Sequence, residues 1–154
     1  MEEMRNSKRQ MTAAQATVLL ETGEYGILSV CAEEGQPYGV PLSYVAFDRV
    51  IYFHCALEGH KLRLMGANPK VCFTVVGKTQ VLPSQFSTKY ESIIVFGEGA
   101  LVEQEKEKRM ALELLLKKYS PDFLREGMDY IDKAITKTHV YKIIIRHMTG
   151  KHRV

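Results

Sequence analysis

Three side chains that can carry a positive charge follow directly on a strand-like apolar run. Residues 51–56 read IYFHCA, and the EGHKLR stretch behind them supplies His60, Lys61 and Arg63. A helix that begins here offers free backbone N–H groups and the positive end of its dipole to an anion. Gly59 allows close backbone approach because it lacks a Cβ, while Lys61 adds a full charge and His60 a donor. The pattern therefore predicts a phosphate-binding corner where a strand passes into a helix.

The same residues have more ordinary interpretations. Lysine and arginine near a helix start are often solvated, and Arg63, two positions after Lys61, points elsewhere on a helix. Arg63 is then free to pair with an acid or with a partner subunit. His54, inside the apolar strand, is either a hydrogen-bonded structural histidine or a ligand or substrate contact near His60 and Lys61. Tyr44 and Phe53 are equally open to being ordinary core aromatics, and spacing alone does not decide.

The cysteines argue against thiol catalysis and against metal binding. Cys55 follows His54, but adjacent residues in a strand point to opposite faces, so the two cannot form a nucleophile pair. All three cysteines, Cys31, Cys55 and Cys72, lie in apolar runs without a CxxC pair. Reduced, buried thiols in a cytosolic protein explain this pattern better than a disulfide framework or a zinc site.

Length and composition indicate one ordinary globular domain, 1–154, with 1–11 as an N-terminal extension. The 154 residues suffice to bury a core, and 45% apolar with 25% charged residues exclude a disordered or collagen-like chain. The net charge of +3 is mild and dispersed, whereas a nucleic-acid surface usually shows a dense basic stripe. No secretory signal is evident in MEEMRNSKRQ, and no apolar run approaches the ~18 residues of a membrane span. We expect a cytoplasmic protein that binds neither nucleic acid nor membrane.

Periodicity and chain breakers place the elements. Helices are predicted over 12–23, 59–67, 105–120 and 121–136. Strands are predicted over 25–32, 40–47, 50–56, 70–77, 92–103 and 138–151, with a hairpin turn at 33–39. Thr12 caps the first helix and Gly23 stops it, while Pro69 ends the second helix by disfavouring helical backbone at Asn68. The basic end of the last strand is interpreted as a strand end rather than as a nucleic-acid arm.

Two features bear on how these strands assemble. Gly97 and Gly99 interrupt the fifth strand, which indicates a bulge or a bend at a barrel corner. The stretch 78–91 has no clear period and contains Pro83, so it is predicted to be a long loop or an irregular edge. Five or six strands in hairpin order, with helices at the ends and on one flank, favour an antiparallel barrel with helical additions. The absence of GxGxxG and GxxxxGK[ST] patterns disfavours a Rossmann or P-loop nucleotide site.

The runs GQPYGVPLSYV, IYFHCALEGHKLRLMGANPKVCFTV and ESIIVFGEGALVE occur in this order. Together they resemble the flavin-binding split-barrel superfamily of pyridoxamine 5'-phosphate oxidase, with the closer match to its nitroimidazole-resistance reductase branch. The shared pattern is a glycine-proline hairpin before VPLSY, a YFH strand end, a G-[HRK]-K helix start, an NP break and a late MTGK. The resemblance spans about 23–151. It implies a mainly β (α+β) fold, a six-stranded antiparallel split β-barrel with flanking helices, and a homodimer with two flavin mononucleotides (FMN) between the subunits.

The resemblance also implies which residues hold the flavin and that no metal is needed. The set is Leu42, Ser43, Tyr44, Phe53, His54, Gly59, His60, Lys61, Ser92 and Lys151. The first three would offer backbone groups to the edge of the isoalloxazine ring, and the next two would flank the ribityl chain and phosphate. His60 and Lys61 would hold the phosphate, Ser92 would approach the ring, and Lys151 would lie near the cleft. Relatives often have arginine where His60 stands, so phosphate affinity here should depend more on pH.

The activity implied by the resemblance is that of an FMN-dependent oxidoreductase. FMN would take electrons from NAD(P)H and pass them to a small acceptor such as a nitroaromatic, a quinone or a pyridoxal-type vitamer. His54 is the candidate for a catalytic, substrate-side role, although the sequence requires no acid–base residue. The alternatives are a non-catalytic flavin- or heme-binding module, true pyridoxamine 5'-phosphate oxidase activity, and an unrelated barrel scaffold. The substrate-binding arginine and histidine motif of that oxidase is not matched in IIIRHMTGKHR.

Overall fold

Seven antiparallel strands and four α-helices make up the computed structural model, which describes residues 6–32 and 34–153. The strands are β1 (Gly26–Cys31), β2 (Pro37–Leu42), β3 (Val45–Phe47), β4 (Val50–Cys55), β5 (Lys70–Leu82), β6 (Ser87–Leu101) and β7 (His139–Arg153). The helices are α1 (Ala13–Thr22), α2 (His60–Ala67), α3 (Glu105–Tyr119) and α4 (Leu124–Ala134). The strand order in the sheet is β2-β1-β5-β6-β7-β4-β3. The mainly β, antiparallel fold class is thus confirmed.

The two edges of this sheet belong to one continuous segment of chain. Only Ser43 and Tyr44 separate β2 at one edge from β3 at the other. Three peptide steps reach at most about 11 Å, so the two edges must lie next to each other. The sheet therefore curls into a barrel, whose interior is filled by fully buried side chains such as Leu28, Phe73 and Ile143.

The second predicted strand, 40–47, is in fact two strands, which raises the strand count from six to seven. Its first half pairs with β1 and its second half with β4. The break falls at Tyr44, whose side chain is fully buried and whose hydroxyl donates to the Leu20 carbonyl at 2.6 Å. The residue where the chain changes sheet edges is therefore fixed by the core.

The prediction of a loop or irregular edge at 78–91 is wrong. β5 and β6 continue through it as a ladder that runs from Thr79 opposite Tyr90 to Leu82 opposite Ser87, beyond a bulge after Val76. A single 3-10 turn at Pro83–Gln85 closes this hairpin. The extension projects from the barrel and buries neither face, so the sequence shows no apolar alternation there.

The glycine interruption of β6 is a real irregularity, as predicted. The pairing register of β6 with β7 shifts between Phe96 and Gly97. A Cβ at Gly97 would lie 2.5 Å from the Ile144 carbonyl oxygen and 2.8 Å from Cγ2 of Ile143. Only glycine permits that close approach of the two backbones.

The helix boundaries follow the predicted signals. Thr12 and Gln15 form a reciprocal capping box at the start of α1, and Gly23 ends it. α2 stops before Asn68-Pro69 and buries Leu62 and Met65. α3 covers β3 and β4 over a second apolar cluster, made of Val45, Tyr52, Val102, Ala111, Leu115 and Val140. α4 packs in turn on α3.

The segment before α1 lies along β7. Gln10 bridges to Lys151, and the Met11 N–H donates to the Gly150 carbonyl at 2.9 Å. Met11 is buried, so the end of the predicted extension 1–11 is part of the packed structure. Residues 1–5, Glu33 of the predicted turn, and Val154 lie outside the described residues. Within the described ranges, no helix has the length and hydrophobicity to cross a membrane.

Candidate functional site

The predicted phosphate corner has the local geometry that an anion needs. α2 begins at His60, and no side chain in the described structure caps it. The Gly59 carbonyl accepts from the N–H groups of Leu62 and Arg63, at 3.1 and 3.2 Å. The N–H groups of His60 and Lys61, which precede them, have no acceptor within the helix. Apart from its chain neighbours, no described residue has an atom within 4 Å of where a Cβ on Gly59 would stand. The helix start therefore opens onto free space.

His60 and Lys61 lie close to residues of two strands, β2 and β4. The His60 ring stands edge-on against Tyr38 of β2, with 4.8 Å between ring centres. Lys61 is half-buried near the end of β4, where its charge lowers the pKa of the Cys55 thiol against the larger raising effect of burial. The structure thus brings Gly59, His60 and Lys61 together between the ends of β2 and β4.

Ser92 and Lys151 form a second group on the outer face of the sheet. They are directly opposite each other on β6 and β7, and both are half-buried. Three strand spacings, or roughly 14 Å, separate β6 from β2 along the sheet order. Within one chain, this pair is therefore separate from the phosphate corner.

The backbone at Ser43-Tyr44 is already engaged by a residue that the sequence did not reveal. The Tyr44 N–H donates to the Tyr119 hydroxyl at 2.9 Å. The same hydroxyl lies 2.8 Å from the Tyr44 carbonyl and 2.7 Å from the Glu24 carbonyl. With one proton, it donates to one of these carbonyls at a time. A ligand bound to the Tyr44 backbone would have to replace Tyr119, whereas Ser43 is exposed and Leu42 half-buried.

The side chains of Tyr44 and Phe53 are core residues. Both are fully buried. Tyr44 contacts Phe73 edge-on with 4.9 Å between ring centres, and Phe53 stacks on Tyr141 at 6.0 Å. These two residues can therefore reach a cofactor only through their backbone, and their place beside a flavin stays a prediction.

His54 is on the opposite face of β4 from Phe53 and looks outward toward α3 and α4. It lines a cleft between these helices together with Ser43. Desolvation by the surrounding protein lowers the pKa of His54 below its usual value, so the imidazole is neutral at neutral pH. A neutral imidazole can donate one hydrogen bond and accept another.

Lys118 is a further residue that sequence patterns did not single out. Its Nζ lies 4.0 Å from the centre of the Tyr44 ring and has no hydrogen-bond partner in the described structure. Burial lowers the pKa of Lys118 to about 8. The sequence shows only a lysine near the end of an amphipathic helix, where such a charge is normally solvated.

The described residues offer no metal site. Across 6–32 and 34–153, no three His, Cys, Asp or Glu side chains gather as a metal ion would require.

Comparisons with known proteins agree on the family and the fold. The sequence profile of the pyridoxamine 5'-phosphate oxidase family matches residues 12–152. No protein of curated function matches the chain significantly.

Three solved structures show the same fold. A Bacteroides thetaiotaomicron protein named for 5-nitroimidazole antibiotic resistance is 24% identical over 92% of this chain and 85% of its own, with a TM-score of 0.78. An FAD-binding protein from Mesorhizobium loti is 24% identical over 95% and 98%, with a TM-score of 0.66. A flavocytochrome from Azotobacter vinelandii is 18% identical over 99% and 73%, with a TM-score of 0.81.

Proposed function

Because the chain belongs to the pyridoxamine 5'-phosphate oxidase family, we propose that it is an FMN-dependent oxidoreductase. It takes electrons from NAD(P)H and reduces a small acceptor such as a nitroaromatic. When bound, the flavin supplies the redox chemistry, and the protein supplies binding, orientation and exclusion of water. Binding and orientation of the flavin and exclusion of water must therefore follow from the residues of this chain.

The observation that carries the proposal is the uncapped start of α2. Free N–H groups, open space in front of Gly59, the Lys61 charge and the His60 ring converge on one corner. A phosphate monoester is close to dianionic at neutral pH and needs several donors together with positive potential. This corner suits the single terminal phosphate of FMN.

The names of similar structures support a flavin. The Mesorhizobium protein is named as FAD-binding, the Azotobacter protein as a flavocytochrome, and the Bacteroides protein for nitroimidazole resistance. Transferred to this chain, they favour a flavin cofactor and a nitroaromatic among the possible acceptors. FMN rather than FAD rests on the phosphate corner alone.

The outer face of the barrel supports a homodimer with the cofactor at its interface. Ile27, Val76, Ile94 and Phe96 are exposed on adjacent strands β1, β5 and β6. The register places Ile94 opposite Thr74, which is itself opposite Ile27, so the apolar side chains form one surface. Large contiguous apolar surfaces of this kind mark interaction sites. Ser92, opposite Val76, would bring its pair with Lys151 to the edge of that interface.

Flavin titration tests the cofactor proposal. We expect the protein to bind FMN, to turn yellow, and to bleach when NADH or NADPH is added under anaerobic conditions. Lys61→Ala should weaken FMN binding about ten- to a hundredfold, because one charge-assisted hydrogen bond contributes ~1.5–3 kcal/mol. The matched control is Arg63→Ala, which removes an exposed charge two positions further along the same helix.

Each other result has a definite meaning. Equal losses of FMN affinity in Lys61→Ala and Arg63→Ala would show that Lys61 acts only through its positive charge and makes no specific contact with the phosphate. FMN binding without bleaching by either nicotinamide would favour the non-catalytic flavin module. Preference for FAD or heme over FMN would contradict the cofactor assignment. If none of these three molecules binds, the hypothesis of a barrel that serves as a scaffold would be favoured.

A further inference from the structure

A cleft of about 560 Å³ lies between α3 and α4, outside the barrel. Its walls are mainly leucine, isoleucine and aromatic side chains, and its polar lining residues include Ser43 and His54, both of which are exposed. This volume is within the range of small-molecule sites, which are mostly apolar with a few polar groups at one end. The cleft is formed entirely within one chain.

Two sets of contacts fix the helices that form the walls of the cleft. Gly127 of α4 sits against Leu116 of α3, and a Cβ on Gly127 would lie 2.6 Å from Cδ2 of Leu116. A larger residue at Gly127 would force the Leu116 side chain to shift. At the C-terminal end of α3, the Tyr119 hydroxyl is tied to the backbone of Tyr44 and Glu24. The cleft is therefore built by the packing of α3 and α4 and needs no ligand to define it.

The cleft favours an uncharged occupant. None of the described residues that line it is a lysine or an arginine, and its one carboxylate, Glu126, is exposed. His54 is neutral at neutral pH for the reason given above. The Lys118 amine lies 5.4 Å from the Tyr119 ring centre but is buried and does not line the cleft. An anionic ligand would therefore meet no cationic lining residue, while Tyr119, Phe123 and Tyr130 offer aromatic surface to a flat ring.

We infer that this cleft is the acceptor site, and that it selects uncharged planar aromatic molecules against phosphorylated or otherwise anionic ones. The ring packs between Leu115 and Phe123, and its polar edge meets Ser43 and His54. The inference rests on the proposed function, because Ser43 and His54 also belong to the set expected beside the flavin. The inference favours an uncharged aromatic acceptor over a phosphate-bearing vitamer, because the phosphate would need a cation in this cleft.

Binding is tested with two fluorescent probes that differ by one sulfonate. N-phenyl-1-naphthylamine is uncharged, whereas 1-anilinonaphthalene-8-sulfonate carries the same rings and a negative charge. The chain has no tryptophan, so the protein adds little background emission. We expect the uncharged probe to bind at least tenfold more tightly, with FMN present or withheld. Equal or tighter binding of the sulfonate would overturn the inference without any variant being made.

Two neighbouring positions on α4 locate the binding. Ala134 lines the cleft, so Ala134→Phe should fill it and weaken binding of the uncharged probe at least tenfold. Lys133→Phe adds the same ring at an exposed position next to it and should leave binding as in the wild type. Glu126→Lys should raise the affinity for the sulfonate probe. Equal effects of the two phenylalanine variants would place the probe elsewhere and refute the assignment.

Oxidation of the reduced holoprotein separates this inference from the proposed function. After reduction by dithionite, menadione takes two electrons and two protons and becomes its hydroquinone. Alternatively, two ferricyanide ions take one electron each and the protons go to solvent. Ala134→Phe should slow the menadione reaction at least tenfold relative to the ferricyanide reaction.

An unchanged ratio of the two rates would refute the cleft as the acceptor site while the oxidoreductase stands. Failure of the wild-type holoprotein to react with either oxidant would refute the oxidoreductase itself.

Discussion

The amine of Lys118 is held in an environment that opposes its charge. It lies over the face of the Tyr44 ring, 4.0 Å from the ring centre, and finds no hydrogen bond. A cation on an aromatic face gains ~0.5–2 kcal/mol. Desolvation without a partner works against it and dominates here, because the pKa of Lys118 falls to about 8 from the usual 10.5.

This lowered pKa gives a specific pH dependence. Between pH 8 and 10.5 the unfolded chain binds the Lys118 proton and the folded chain has released it, so the free energy of unfolding rises with pH. That contribution is lost as the pH falls through 8. Lys118→Met should therefore stabilise the protein at pH 7 by about 1 kcal/mol, after discounting for solvent access, and by much less above pH 10.

Urea denaturation of both proteins at pH 7 and pH 10 measures this difference. Lys117→Met, at the exposed position before it, is the control and should change the free energy of unfolding by less than ~0.5 kcal/mol at either pH. If the free energy of unfolding changes equally between pH 7 and pH 10 in the wild type and in Lys118→Met, the amine of Lys118 is solvated.

At the residue scale, the positions of polar residues could be predicted from the sequence at the ends of helices and strands. The positions of residues that are held by tertiary contacts could not. His60 and Lys61 could be placed because Gly59 and Pro69 bound their helix. Tyr119 contacts Tyr44 across 75 positions of sequence, and no local pattern encodes such a contact. The same holds for the position of Lys118 over Tyr44.

At the scale of elements, Tyr119 fastens the end of α3 to the point where β2 passes into β3. The Tyr44 N–H that it accepts from belongs to a fully buried residue. Tyr119→Phe leaves that N–H without a partner, which costs about 1–3 kcal/mol. We expect a lower urea midpoint and faster amide exchange at Tyr44 and along the last turn of α3.

Tyr130→Phe is the matched control for this experiment. Tyr130 is 72% exposed on α4, so loss of its hydroxyl should leave the urea midpoint within experimental error. A midpoint for Tyr119→Phe as high as that of Tyr130→Phe would mean that water replaces the Tyr119 hydroxyl without loss.

Strands and helices could be predicted wherever one of their faces is buried. The prediction failed where burial changes along a strand. β4 and β5 alternate or are continuously apolar as far as the barrel extends, and their predicted positions are confirmed. The hairpin extension beyond Val76 has Val81 at 69% and Phe86 at 97% exposed, so it lacks the alternation that marks a strand. The split at Ser43-Tyr44 was invisible because both halves have strand propensity and only the sheet order separates them.

At the scale of the whole molecule, the barrel leaves one apolar face uncovered. Closing the sheet through Ser43-Tyr44 buries its inner side chains, and α3 and α4 cover part of the outside. Ile27, Val76, Ile94 and Phe96 stay exposed on strands in the middle of the sheet. Exposed apolar residues that share one face of three adjacent strands, with Thr74 between Ile27 and Ile94, are what a second copy of the chain would bury.

Ile94→Glu tests this arrangement together with the place of the cofactor. Ile94 is 39% exposed on this surface, and a carboxylate there would be desolvated by the partner at a cost in binding free energy. We expect sedimentation equilibrium to show a monomer, in contrast to a wild-type dimer, and flavin affinity to fall with dimerisation. Val18→Glu, which changes an exposed residue of α1, is the control and should remain dimeric.

The two readouts have separate meanings because the phosphate corner lies within one chain and the Ser92–Lys151 pair lies beside the apolar surface. A monomeric Ile94→Glu that keeps wild-type FMN affinity would place the whole flavin site in one subunit. A dimeric Ile94→Glu would move the interface to another face of the barrel. Loss of both properties in a variant that remains folded is the result that a cofactor held between two copies requires.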